Sequence, residues 1–341
     1  MTTRTPSQVS RPLVSVTPRG LFCEAGDFHI DPWHPVQRAV ITHAHGDHAR
    51  GGSQRYLGTR AGESLLRRRV GADARIDSLE YGERRALGDV TVSLHPAGHV
   101  LGSAQVRLEH RGEVWVVSGD YKRAPDPTCA PFEPVRCHTF ITEATFGLPI
   151  YRWEDPRVVA EDMLRWWDAN RARGRAAVLF CYALGKAQRV LAELARLTDR
   201  TVLVHGAVHG LVELYRDAGV AMLPTQRVAE TQKGASFAGA LVVAPPSASG
   251  STWLRRFGEV ETGFASGWMR VRGNRRRRGF DRGFALSDHA DWAELLRTVE
   301  ETGAERVLTT HGQAEPLARY LRERGLDASP LATPFEGEAE D

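Results

Sequence analysis

The sequence predicts an α/β protein in which a run of alternating strands and helices interrupts a domain formed by the two ends of the chain. Three observations lead there. Short apolar runs followed by Gly, Pro, Asp or His fill the stretch from about Gly20 to Glu143. Three strand-to-helix units then follow in series between about Pro149 and Phe257. After Arg282 the chain returns to strands that end in Asp and His. The predicted division is 13–148 for the first part of the outer domain, 149–280 for the inserted α/β unit and 281–335 for the second part.

The elements follow in order. Apolar runs at Ala39–Ile41, Val90–Leu94, Ala104–Leu108, Val114–Val117 and Thr139–Ile141 predict strands. Val158–Arg173 has helical spacing, and its stripe of Met163, Leu164, Trp166 and Trp167 predicts a core-facing helix. Ala177–Cys181 leads into a helix at Lys186–Leu197, and Thr201–Val204 into one at Val208–Ala218. Ala240–Val243 leads through Pro245–Ser251 into a helix at Trp253–Phe257. Strand–helix repetition of this kind predicts a parallel sheet. Phe284–Leu286 reads as a strand ending in Ser287-Asp288-His289, and Arg306–Thr309 as a strand ending at His311. Helices are predicted at Trp292–Glu301 and Pro316–Gly325.

Composition excludes several classes. With 341 residues, 26% charged and 42% hydrophobic, the chain is ordinary globular protein, not disordered, collagen-like or coiled-coil. No stretch approaches the ~20 apolar residues of a membrane span, and Met1–Pro12 is polar, so a cytoplasmic protein without a membrane partner is predicted. The four cysteines form no CxxC pair, which argues against disulfides and a thiolate zinc cage. Net charge is only +3, a weak field for a polyanionic partner. Of the 45 basic residues, three are lysines: Lys122, Lys186 and Lys233. Glu336–Asp341 carries four acids and reads as a solvated tail.

The strongest chemical signal is Thr42-His43-Ala44-His45-Gly46-Asp47-His48, with three histidines and an aspartate in six residues. Imidazole and carboxylate suit Zn²⁺, Mn²⁺ or Fe. In an extended segment His43 and His45 point the same way, so both can bind one metal, while Asp47 and His48 lie where the chain can turn toward a second. His99, Asp120 and His311 complete the set, with Asp120 able to bridge. Two metals about 3.5–4 Å apart form a clamp for hydrolytic displacement.

These residues resemble a family. The pattern HxHxDH, then His, Asp and a distal His, resembles the metallo-β-lactamase fold hydrolases. Glu143 in Thr-Glu-Ala-Thr-Phe-Gly is similar to acidic motif A of their β-CASP nucleic-acid branch, His289 in Leu-Ser-Asp-His-Ala-Asp to motif B, and His311 to motif C. Leu184-Gly185-Lys186-Ala187-Gln188-Arg189 resembles the start of a β-CASP helix. Gly26-Asp27-Phe28-His29-Ile30-Asp31-Pro32-Trp33 and Pro245-Pro246-Ser247-Ala248 resemble the bacterial ligase-associated DNA exonucleases. The resemblance implies a metallo-β-lactamase αββα sandwich with an inserted β-CASP-like α/β domain. It implies two divalent ions, Zn²⁺ or Mn²⁺, one taken by His43, His45 and His99 and the other by Asp47, His48 and His311, with Asp120 between them. Asp31 resembles the first acidic motif and either holds the His43–His48 loop from behind or caps a turn.

The implied activity is a metal-dependent DNA exonuclease in repair, 5′→3′ on single-stranded DNA, leaving 5′-phosphates. A functional link to an ATP-dependent DNA ligase and a helicase is implied with it. Asp47, Asp120, Glu143 and His289 carry the catalytic roles, with His289 binding the phosphate or protonating the leaving oxygen and Glu143 pairing with it. His311 is also a feature of RNA-processing relatives, so an RNA-cleaving β-CASP enzyme is the alternative. A catalytically degenerate nucleic-acid-binding scaffold is disfavoured by the complete ligand set. Small-ester hydrolysis is disfavoured by the inserted segment with Glu143 and His289. For substrate phosphate, Lys186, Ser247, Ser249 and Ser251 lie between predicted strands and helices, where backbone N–H groups bind anions. Arg275, Arg276, Arg277 and Arg278 belong to a stretch, Arg270–Arg282, with seven arginines and one aspartate.

Overall fold

Two mixed sheets pack face to face because alternate residues on their strands are apolar. The computed structural model describes residues 12–232, 234–271 and 279–333, so Arg275, Arg276, Arg277 and Arg278 lie outside the described residues. The first sheet runs β1 (Ser15–Thr17), β2 (Gly20–Cys23), β3 (Phe28–Ile30), β4 (Arg38–Val40), β5 (Arg55–Thr59) and β6 (Ile76–Leu79) in spatial order. It is antiparallel through β3 and parallel from β3 onward. The second sheet begins with β7 (Arg84–Leu87), β8 (Val90–Pro96), β9 (Ala104–His110), β10 (Glu113–Val117) and β11 (Thr139–Glu143). Its first four strands are antiparallel, and β10 and β11 are parallel.

The chain then leaves to build a third sheet from β12 (Ala176–Phe180), β13 (Val202–Val204), β14 (Thr225–Arg227), β15 (Leu241–Ala244), β16 (Val260–Ala265) and β17 (Arg282–Phe284). These lie in the order β14-β13-β15-β12-β16-β17, all parallel. The chain returns to the second sheet with β18 (Arg306–Thr310) against β11 and β19 (Asp327–Pro330) at the edge. No helix among the described residues is long and apolar enough to cross a membrane.

The shared core is built from period-2 alternation. Val90, Val92, Leu94, Val106 and Leu108 of the second sheet face Leu21, Phe28, Ile30 and Val40 of the first. The outer face of the first sheet is covered by α1 (Glu63–Val70) through Leu66 on Ala39 and Tyr56. The outer face of the second sheet carries α5 (Trp292–Thr302) and α6 (Ala314–Glu323), with Leu295, Leu317 and Leu321 on Val116, Phe140 and Val307. The layers are therefore helix, sheet, sheet, helix. The third sheet is apolar on both faces, which is why Ala176–Phe180 is buried throughout rather than alternating. One face packs α2 (Pro156–Ala172), α3 (Lys186–Leu194) and α4 (Gly206–Asp217). Helix α2 starts where Asp155 accepts from Arg157 N at 2.9 Å and Pro156 presets the first turn, a cap of about 1 kcal/mol.

Two elements differ from the sequence expectation. The helix expected at Trp253–Phe257 is a 3₁₀ turn over Thr252–Phe257, so the Ser247–Ser251 loop leads into no helix dipole. The strand after the arginine-rich stretch is Arg282–Phe284 and pairs with β16, so it closes the third sheet rather than opening the return.

The sheets meet tightly beside His99. Gly102 has φ +75° in the β8–β9 turn, and a Cβ there would lie 2.1 Å from Gly62 Cα at the start of α1. Gly102→Ala is expected to cost at least about 2 kcal/mol, read as a lower urea midpoint at unchanged slope.

Candidate metal centre

Each candidate ligand follows a strand end. His43, His45, Asp47 and His48 follow β4, His99 follows β8, Asp120 follows β10, and His311 follows β18 in a left-handed backbone (φ 59°). The structure brings all seven together. His43, His45, His99 and Asp120 form one group, and Asp47, His48 and His311 a second, with the donor atoms of each group within 4.8 Å of one another. Asp120, Glu143 and His289 form a third such group. Asp120 stands between them: its Oδ2 is 3.6 Å from His43 Nε2, 3.4 Å from His48 Nε2 and 3.8 Å from His99 Nε2.

The hydrogen bonds behind the imidazoles fix what the rings present in front. Thr42 Oγ1 donates to Asp31 Oδ2 (2.5 Å) and so accepts from His43 Nδ1 (3.0 Å). His45 Nε2 meets the Leu184 carbonyl at 3.2 Å, and His99 Nδ1 meets the Asp288 carbonyl at 2.9 Å. A carbonyl only accepts, so each of these outer nitrogens carries the proton. The inner nitrogens, His43 Nε2, His45 Nδ1 and His99 Nε2, are then lone pairs facing one another at 3.0 and 3.1 Å. Asp120 Oδ1 is buried and accepts no hydrogen bond from the described residues. Converging lone pairs and a bare carboxylate oxygen are unfavourable without a cation, so this donor set fits a metal ion.

Electrostatics agree. Burial, aided by the neighbouring imidazoles, holds His43 and His99 well below the usual histidine pKa, in the neutral form a ligand needs. Burial also pushes His311 down to about 4. Burial opposes protonation of His48, but Asp120, Asp47 and Asp31 outweigh it and raise its pKa; the same field favours a divalent ion. Burial raises Glu143, with the His289 ring pulling it partly back. Glu143 Oε2 lies 2.8 Å from His289 Nδ1, and its Oε1 accepts from Tyr121 N at 2.7 Å.

Asp31 resolves toward the orienting role. Its carboxylate accepts from Thr42 N (2.8 Å) and lies 2.7 Å from His48 Nδ1. The remaining expected residues are placed differently. Lys186 is fully buried with Nζ 2.8 Å from Asp288 Oδ2, so its charge is used inside the protein rather than offered to a phosphate. Ser247 and Ser249 are exposed, and Ser251 Oγ donates to the Ala248 carbonyl within its own turn. Sequence reasoning missed the Leu184 carbonyl, Asp288 and a buried ion cluster of Lys122, Asp126, Lys186, Arg189 and Asp288. The available signal was lysine itself: two of only three lysines in an arginine-rich chain sit in this cluster.

No family profile matches the chain. A probable DNA ligase from Opitutus terrae is 34% identical over 312 residues, 91% of this chain and 30% of that protein. The transcription termination factor FttA of Pyrococcus horikoshii is 36% identical over 132 residues, 35% of this chain and 20% of its own length. The endoribonuclease YSH1 of Saccharomyces cerevisiae is 29% identical over 120 residues, 34% of this chain and 15% of its own length. The chain thus spans less than a third of each of these relatives. A solved protein of unknown function from Enterococcus faecalis has a similar fold, with TM-score 0.55 and 12% identity over 88% of this chain and 80% of that one. The sequence matches support the metallo-β-lactamase/β-CASP nuclease family that the motifs resemble.

Asp31→Asn is expected to lower metal affinity about 10–100-fold by loosening His48 and Thr42, measured by competition with a chromophoric chelator.

Proposed function

We propose that the chain is a metal-dependent nuclease with a metallo-β-lactamase αββα sandwich and a β-CASP-like unit, the third sheet with its helices, inserted between β11 and α5. It hydrolyses DNA phosphodiester bonds exonucleolytically, 5′→3′ on single strands, in repair. The observation that carries the reading is the convergence of three imidazole lone pairs beside Asp120, with a buried Glu143–His289 pair adjoining. His43, His45 and His99 would hold one divalent ion and Asp47, His48 and His311 another, with Asp120 between. Zn²⁺ and Mn²⁺ both suit these donors. Ions held there would supply Lewis acidity and lower the pKa of a water so that it can serve as a nucleophile near neutral pH.

The chain's own residues do the rest. Asp120 stays ionised: burial works against this, but His48 holds its pKa well below the usual range. Glu143 fixes the His289 ring through Nδ1, so a proton given to the leaving 3′-oxygen departs from Nε2. The other product then carries the 5′-phosphate. Ser247, Ser249 and Ser251, and Arg275, Arg276, Arg277 and Arg278, are proposed to contact substrate phosphates.

DNA is favoured by the match along 91% of the chain to a probable DNA ligase. The same match supports a functional link to an ATP-dependent ligase, with a helicase as the further proposed partner. A second reading, an RNA-processing enzyme, is favoured by the similarity to endoribonuclease YSH1 and by His311 beside His48. Matched single-stranded DNA and RNA, labelled at either end, would be incubated with Zn²⁺ or Mn²⁺ beside an Asp120→Ala control. The expected result is stepwise DNA loss, 5′ label first, at least about 100-fold slower in the control. Faster RNA cleavage selects the second reading, and no cleavage of either polymer removes the nuclease reading.

A further inference from the structure

One short stretch of the third-sheet segment reaches the first histidine group by three routes. The Leu184 carbonyl meets His45 Nε2 at 3.2 Å. Gly185 abuts the residue after His99 so closely that a Cβ would lie 2.4 Å from Val100 Cγ1. Lys186 Nζ is 2.8 Å from Asp288 Oδ2 and Arg189 is 3.2 Å from Asp288 Oδ1, while the Asp288 carbonyl meets His99 Nδ1 at 2.9 Å. Arg189 also donates to the Ser287 carbonyl, so the turn is held on both sides of its backbone. The second group is oriented from elsewhere, His48 by Asp31 at the end of β3.

An imidazole binds a metal well only when its ring is held at the right angle and tautomer, and the bond to its outer nitrogen does this. Here two of the three outer bonds in the first group depend on the start of α3. The carboxylate of Asp288 is buried, and burial of an ionised group is tolerable only against opposite charge. If a cation is withdrawn, the buried carboxylate loses its compensating charge and the turn shifts toward water. The carbonyl that orients His99 belongs to that turn and shifts with it.

We propose that Lys186 and Arg189 are positioning residues that complete the first metal site, so that affinity at His43, His45 and His99 depends on the third-sheet segment while affinity at Asp47, His48 and His311 does not. This rests on the metal reading above but not on the identity of the nucleic acid. The test is a Zn²⁺ titration of the full chain, wild type and Lys186→Met, in competition with a chromophoric chelator. Wild type is expected to bind two ions. Lys186→Met is expected to weaken one site about 10–100-fold and leave the other unchanged, whereas Asp31→Asn, which touches His48 directly and His43 through Thr42, is expected to weaken both. Asp288→Asn keeps the side-chain shape and loosens only the ionic grip. It gives the same one-site loss in smaller measure and serves if Lys186→Met does not fold. Two unchanged sites, or equal weakening of both, in the Lys186 or Asp288 variant would overturn the proposal. A wild-type chain that binds two ions but cuts no nucleic acid would overturn the function reading and leave this one standing. A wild-type chain that binds fewer than two ions would overturn both.

Discussion

Three imidazole lone pairs aimed at one another with no proton between them are the constraint on which the rest of the structure depends. Such an arrangement is unfavourable in isolation, and it persists only because the rings are held from outside. Thr42 holds His43, the Leu184 carbonyl holds His45, and the Asp288 carbonyl holds His99. Three separate parts of the chain thus hold one cluster. A cation at the centre would relieve this opposition, so metal binding there would be linked to folding.

The layered scaffold explains how such a cluster can be buried. Donors at strand ends inherit the rigidity of the sheet without interrupting its hydrogen bonds. Asp120 after β10 and Glu143 at the end of β11 are brought together because those strands are parallel neighbours in register, Val117 opposite Ile141. The ion cluster at the start of α3 serves geometry more than stability. Buried ion pairs contribute little net stability, yet removing one partner costs about 3–5 kcal/mol. That asymmetry makes the Ser287-Asp288-His289 turn hard to move.

Side-chain chemistry with a short period was legible in the sequence. The cluster at His43–His48 and the strands at Val90–Leu94, Ala104–Leu108 and Val114–Val117 announce themselves by spacing and alternation. The helix α1 did not, because only Leu65 and Leu66 of its eight residues are buried, which leaves no apolar stripe at helical spacing. Lys186 reads as a phosphate ligand because a lysine after Gly185 at a helix start matches an anion site. Its burial against Asp288 depends on a partner 102 positions away, which local pattern cannot reveal. The carbonyls of Leu184 and Asp288 were unreadable in principle, since every residue has one. Asp31 lay between two readings until the fold placed His48 against it.

The two buried carboxylates at the centre show how one fold separates two kinds of acid chemistry. Asp120 and Glu143 both suffer the desolvation that raises a carboxyl pKa. For Asp120 the cost is overcome, chiefly by His48, and it stays ionised. For Glu143 the cost prevails in part, with Asp120 itself adding to the rise and His289 opposing it. Nearby acids driven in opposite directions take different parts in a reaction. In the proposed hydrolysis Asp120 carries charge and Glu143 manages a proton through His289. The division needs no difference in residue type, only a difference in neighbours: imidazoles that present nitrogen to Asp120, and a single imidazole that shares its Nδ1 with Glu143.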